Sequence, residues 1–158
     1  MNKIIIAALL PLAASACATV PVPPDTAAGP EFMLRNAKAR HVVTTPSGLE
    51  YFILASGPAT GVPTKDGDIV TFNYEGKLTD GTTFDSSFER GEPLVGGVGD
   101  FVPGFTQALK LMRPGDEWLV WIPPELGYGS ADKGPIPANS VLRFRLQLIS
   151  VAAPPAGG

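Results

Sequence analysis

The chain has one cysteine and one histidine in 158 residues, and that scarcity removes whole classes of chemistry. A zinc site draws three or four ligands, mostly from Cys and His, and a nucleophile–His–acid triad needs an imidazole inside the catalytic domain. The single histidine, His41, stands ahead of the strand-rich part of the chain, so neither a metal site nor a triad is expected. Charge is sparse as well. Charged residues make up 17% of the chain, with 12 basic against 15 acidic side chains and a net charge of −3. With no positive field to attract a phosphate backbone, nucleic-acid binding is not expected. Gly96-Gly97-Val98-Gly99 is not followed by the Gly-Lys-Ser/Thr of a phosphate-binding loop and reads as a bend. Asp80 and Asp85 stand too close to a hairpin to serve as the carboxylate pair of a glycosidase. Glycine and proline are abundant instead, 18 and 17 residues respectively, which favours turns and short strands. The length suits one domain of about 100–150 residues with short appendages.

The first sixteen residues read as an export signal. Lys3 precedes the apolar run Ile4 to Leu12, far short of the about 20 residues of a membrane span, and the run gives way to Ala14-Ser15-Ala16. The lone cysteine, Cys17, follows directly. This arrangement resembles a bacterial lipobox, although Ala14 stands where Leu is usual, and it makes Cys17 the expected lipid-attachment residue and the only contact with a membrane. The other reading is a soluble periplasmic protein in which Cys17 is an incidental thiol. Export favours chemistry that needs no nucleotide, since ATP is scarce outside the inner membrane. From residue 17 to 45 the chain reads as a tether, rich in proline (Pro21, Pro23, Pro24, Pro30), leading to a short helix over Glu31 to His41 whose Arg35, Lys38 and Arg40 form a solvated face. Residues 152–158, Ala-Ala-Pro-Pro-Ala-Gly-Gly, read as a disordered tail.

Between these ends, strand signals dominate. Val70, Phe72, Tyr74, Gly76 and Leu78 alternate with Thr71, Asn73, Glu75 and Lys77, the two-residue period of a half-buried strand, and Asp80-Gly81 then turns the chain back through Thr82 to Ser86. Asp116 to Ile122 and Val141 to Val151 repeat the alternation, and Leu49 to Ala55 adds a fifth strand. One segment has the helical period instead: after Pro103, Phe105, Ala108, Leu109 and Met112 recur on one face until Pro114-Gly115 stops the run. The expected fold is α+β, an antiparallel sheet of about five strands wrapped on one short amphipathic helix, with Arg143, Arg145 and Gln147 on the wet face. Leu119 and Trp121 also fall on that face, either packed under the N-terminal arm or forming an interaction patch.

At this point the sequence resembles the FKBP-type peptidyl-prolyl cis-trans isomerases, over residues 46–151. The resemblance is carried in order by Tyr74-Glu75-Gly76-Lys77-Leu78 with Asp80-Gly81, Phe84-Asp85-Ser86-Ser87, Val102-Pro103-Gly104-Phe105 leading to Ala108-Leu109, Met112-Arg113-Pro114-Gly115, Tyr128-Gly129, Gly134-Pro135-Ile136-Pro137 and the last strand around Phe144. The opening Thr44-Thr45-Pro46-Ser47-Gly48-Leu49 is similar to exported bacterial members. The resemblance implies catalysis of rotation about X–Pro bonds, without a cofactor. It implies a catalytic pocket formed by Tyr74, Phe84, Asp85, Phe105, Tyr128 and Phe144. Substrate contacts come from Arg90, Leu94, Phe101, Val102 and Ile136. Phe105 takes the place of a floor that is often Trp, and Leu94 the place of a usual aromatic. The implied partners are proline-containing unfolded or nascent exported polypeptides and macrolide inhibitors.

Taken singly, Tyr74, Phe105 and Phe144 read as core packing and Asp85 as a turn or cap residue. Within the family pattern, Phe105 underlies the proline ring, Tyr74, Phe84 and Phe144 form its sides, the Tyr128 hydroxyl donates to a substrate carbonyl, and Val102 offers its main-chain N–H. Asp85 then orients Tyr74 or Arg90 rather than acting as a base. The competing reading keeps the fold but not the turnover: a chaperone-like peptide-binding module of the cell envelope, using the pocket rim and the Leu119/Trp121 face. The stretch from Gly127 to Ser140 is short for a chaperone insert, and the short N-terminal helix leads to the expectation of a monomer.

Overall fold

The computed structural model describes residues 29–156; the export signal, Cys17, the proline-rich stretch to Ala28 and the last two residues of the tail lie outside them. The elements run in order α1 (Gly29–Asn36), β1 (Val43–Thr44), β2 (Glu50–Ala55), β3 (Ile69–Leu78), β4 (Thr83–Ser86), α2 (Ser87–Arg90), β5 (Leu94–Gly97), α3 (Pro103–Leu111), β6 (Glu117–Ile122) and β7 (Leu142–Ala152), with one 3-10 turn at Pro124–Leu126. All five expected strands are present. Two short ones, β1 and β5, join them in a seven-stranded antiparallel sheet of order β1-β2-β6-β7-β3-β4, with β5 also on β3.

β3 organises the sheet. Its burial alternates without a break from Ile69 to Gly76, because every second side chain faces α3. One edge pairs with β7 along its whole length, from Ile69 opposite Ala152 to Leu78 opposite Leu142. The other edge is shared: Ile69 to Phe72 pair with β5, and Glu75 to Lys77 pair with β4. The gap between them is filled by Ser87, fully buried on α2, whose Oγ accepts the Tyr74 N–H at 2.8 Å. Gly96-Gly97, read from sequence as part of a bend, is therefore strand, held by an edge of β3 that would otherwise lack partners.

α3 lies across the inner face, with Phe105, Ala108, Leu109 and the following Met112 at most 4% exposed among Val70, Phe72, Leu146 and Leu148. The outer face is not uniformly wet. α1 ends at Asn36, five residues short of the end expected for it at His41, and the chain turns through His41, whose φ is +67°. Phe32 and Met33 of α1 close over Trp121, and with Val141 they form a second, smaller cluster flanked by Val42, Phe52 and Leu119. This decides between the two readings of the Leu119/Trp121 face: Trp121 is 3% exposed and packs under the N-terminal arm. Pairing of Val43 with Tyr51 carries the sheet itself N-terminal of Pro46.

Candidate active site

The inner face of the sheet leaves a cavity of about 430 Å³ between β3, β4, the start of α3 and the loop before β7. Phe105 reaches its base from the first turn of α3, where Pro103 fixes the helix start. Its ring meets Phe144 of β7 edge to face at 5.0 Å and Tyr74 of β3 at 6.3 Å, at interplanar angles of 90° and 89°. Phe84, on β4, meets Phe144 at 5.6 Å and 88°. These edge-to-face contacts set the positive edge of one ring against the negative face of the next and fix the walls of an aromatic cleft. A close approach of backbone to ring makes this possible. A Cβ placed on Gly76 would stand 2.5 Å from Phe84 and 2.9 Å from Phe144, so only glycine leaves room for both rings.

Behind the floor lies more aromatic padding. Phe101 packs on Phe105 at 5.0 Å and on Phe72 at 5.4 Å, supporting a floor built from Phe rather than the larger Trp. Leu94, Val102 and Ile136 complete the apolar lining. Val102 is the residue preceding the first turn of α3; its carbonyl accepts the Thr106 N–H, and its own N–H has no acceptor among the described residues. Tyr128 overhangs the mouth, 39% exposed, and no described residue bonds its hydroxyl. A free N–H and a free O–H thus border a largely aromatic cavity.

Of the charged side chains on the wall, Asp85 is the one held by other side chains. The Tyr74 hydroxyl donates to Asp85 Oδ2 at 2.5 Å, Arg90 Nη2 donates to the Tyr74 oxygen at 2.9 Å, and Arg90 Nη1 forms an ion pair with Asp85 Oδ1. The local fold arranges this: Ser86 caps α2 by accepting the Glu89 N–H, and the single turn that follows brings Arg90 back over Asp85. Burial pushes the Asp85 carboxyl up, but the bonds from Tyr74 and Arg90 and the guanidinium charge outweigh it and hold the group below its ordinary value. Tyr74 is pushed the other way, by burial first and by its bond to Asp85 second, so its phenol stays protonated. Asp85 is an ionised acceptor with both oxygens engaged, which suits holding Tyr74 and Arg90 in place and does not suit proton abstraction.

The structure brings ten of the eleven proposed catalytic and substrate-contacting residues to this cavity, and the eleventh, Arg90, reaches it through Asp85 and Tyr74. Sequence reasoning missed Asp100, Lys133 and Pro135, which also line it. Pro135 was in view as part of the Gly-Pro-Ile-Pro motif, whereas two exposed charges in loops carry no periodic signal.

The family model for FKBP-type peptidyl-prolyl cis-trans isomerases matches residues 61–149, which include every side chain of this cavity. The chain belongs to that family. Among FKBP-type relatives it is 42% identical over 130 residues to the isomerase FkpA of Aeromonas hydrophila, covering 82% of this chain and 48% of that one. It is 42% identical over 128 residues to a protein of Legionella longbeachae named outer membrane protein MIP, covering 80% and 54%. The crystal structure of FkpA from Escherichia coli superposes with a TM-score of 0.76 at 41% identity, covering 80% of this chain and 59% of that one. This FKBP-type chain therefore spans about half the length of the curated relatives it matches.

Proposed function

We propose that the protein is a peptidyl-prolyl cis-trans isomerase that rotates X–Pro peptide bonds of exported polypeptides. The observation that carries this reading is the aromatic cleft itself: a space walled and floored by Tyr74, Phe84, Phe105 and Phe144, bordered by the free Tyr128 hydroxyl and Val102 N–H, with the carboxylate beside Tyr74 paired to Arg90. Rotation faces a barrier of about 18–20 kcal/mol because resonance holds the amide planar. No bond breaks, so neither nucleophile nor base is required. A catalyst must bind the twisted amide better than the planar one. Twisting removes conjugation from the imide nitrogen and dipolar character from the carbonyl, and both ends then prefer a medium drier than water. Phe105, Tyr74, Phe84 and Phe144 supply that medium, while Tyr128 and Val102 hold flanking carbonyls so that rotation occurs around a fixed ring. An acceleration of ~10⁵ corresponds to about 7 kcal/mol of preferential binding, within reach of desolvation and these contacts acting together.

The export signal supports an envelope location, and the position of Cys17 after Ala-Ser-Ala supports a lipid anchor. The closure of α1 over Trp121 supports a monomer and counts against a separate peptide-binding role for the Leu119/Trp121 face. Macrolide inhibitors would occupy the same cleft, with Leu94 giving them a less aromatic wall. The test is exchange NMR on short X–Pro peptides with the protein and a Phe84→Ala/Tyr128→Phe variant. Turnover by the parent and a loss of at least about tenfold in a folded variant are expected. A folded parent that binds peptides without turning them over would leave the binding-module reading in its place.

A further inference from the structure

Two charged side chains at the mouth of the cleft take no part in the Tyr74–Asp85–Arg90 arrangement. Lys133 precedes the two-residue turn Gly134-Pro135 and is bridged to Ile136: its N–H donates to the Ile136 carbonyl at 2.9 Å, and the Ile136 N–H returns to the Lys133 carbonyl at 3.0 Å. Gly134 adopts a φ of +55°, so the turn holds a left-handed conformation that glycine takes without strain. Residues directly opposite in an antiparallel bridge put their side chains on one face. Ile136 is 5% exposed in the cleft wall, so the exposed Lys133 side chain emerges on the same face and borders the same space.

The neighbouring carboxylates do not neutralise it. Asp132 Oδ1 turns back into its own loop to accept the Ala138 N–H at 2.7 Å, and Asp85 is paired with Arg90. Among the described residues no carboxylate lies within ion-pair distance of the Lys133 ammonium. Asp100 lines the cleft from the turn between β5 and α3; it accepts the Gly97 N–H at 2.8 Å and likewise has no cationic partner among the described residues. The mouth therefore presents one unneutralised cation and one unneutralised anion on separate loops.

Resting on the isomerase reading above, we propose that Lys133 is a specificity residue: its uncompensated ammonium beside Ile136 favours polypeptides that carry Asp or Glu next to the proline, while Asp100 on its separate loop opposes that preference. Both charges are solvent-exposed, so the selection is modest, about two- to fivefold, and screened by salt.

The experiment measures kcat/KM by exchange NMR for the full chain on matched peptides in which the residue before or after proline is Glu, Gln or Lys. At low salt the Glu peptide is expected to exceed its Gln counterpart two- to fivefold at one of the two positions, with the Lys peptide lowest. The order should reverse in Lys133→Glu, the Glu/Gln ratio should rise in Asp100→Asn, and the differences should collapse at about 0.5 M salt. Spectra of the two variants matching the parent's will show that the pocket is folded in each. Turnover by the parent without any charge order, or an order that survives in Lys133→Glu, overturns the role of Lys133 and leaves the isomerase intact. No turnover on any peptide by a folded parent overturns the isomerase reading and this preference with it.

Discussion

On the inner face of the sheet, Tyr74, Phe84, Phe105 and Phe144 meet around a space that stays open, whereas on the outer face Trp121 is closed over by Phe32 and Met33 of α1. Both faces carry large rings. The difference is in what limits their packing. Inside, edge-to-face contacts and the shape of β3 and β4 keep the rings apart at the mouth, so apolar surface remains available to a guest. Outside, a helix from the N-terminal arm consumes the apolar surface, and the adjoining strip of the sheet is given over to charge, with Glu117 bonded to Arg145 at 2.6 Å and Glu75 to Lys77 at 2.9 Å. A sheet face carries an open cleft here because the chain leaves it incompletely covered.

The sharpest way to separate the two faces is to remove a ring from the covered one. Trp121→Ala is expected to cost about 3–5 kcal/mol of stability, the range for deleting a large buried aromatic, measured as a fall in the urea midpoint. Its kcat/KM on an X–Pro peptide should stay within about twofold of the parent's at temperatures where it is folded, since that shift is only about 0.4 kcal/mol. A selective loss of turnover at full folding would show that the outer cluster positions the cleft and would break the distinction.

The converse test fills the open face. Gly76→Ala drives a methyl into the Phe84 and Phe144 rings, and overpacking of this kind costs about 1–3 kcal/mol. Here the larger consequence should be functional: to relieve the clash the rings must move into the cleft, so kcat/KM should fall by more than about tenfold in a variant that still unfolds cooperatively. Full activity would mean that the walls yield freely and that their spacing is not what catalysis requires.

These two positions also show what could be read from the chain. Gly76 falls on the core-facing register of β3 with Val70, Phe72 and Tyr74, so the period of two places it correctly, although it does not give the reason a glycine stands there. α3 was equally legible, because Phe105, Ala108, Leu109 and Met112 keep the helical period and Pro103 marks the start. β5 was not, since Leu94-Val95-Gly96-Gly97 has little side-chain pattern and becomes strand only because β3 offers it a partner. The cleft residues on loops form a third case. Tyr128 and Val102 entered through resemblance alone, and Lys133 and Asp100 through neither route, because loop geometry depends on turns and bridges that no periodicity encodes. Trp121 was ambiguous for a related reason: whether an outward ring is buried depends on an arm joined to the sheet through short, irregular connections.

That arm is fastened by a polar contact, which supplies the smallest and most selective test. Glu50 of β2 sits opposite Trp121 in the β2–β6 register, is 2% exposed, and accepts a hydrogen bond from Asn36 Nδ2, at the end of α1, at 2.7 Å. Burial raises its pKa above the ordinary carboxylate value, and the bond from Asn36 only partly offsets this. A carboxyl whose folded pKa exceeds its unfolded one contributes stability that is present below the unfolded value and is lost as pH rises through the folded value. Asp85, on the open face, works in the opposite sense: its lowered pKa contributes stability above its unfolded value that is lost as pH falls through the folded one. Glu50→Gln keeps the acceptor for Asn36 and removes the charge. Across a series of urea midpoints from pH 4 upward, the variant should gain on the parent as Glu50 ionises, and the gain should level off once that ionisation is complete. A difference that is flat with pH would mean that Glu50 is solvated as well in the folded chain as in the unfolded one, and that α1 closes the outer face less tightly than its packing over Trp121 indicates.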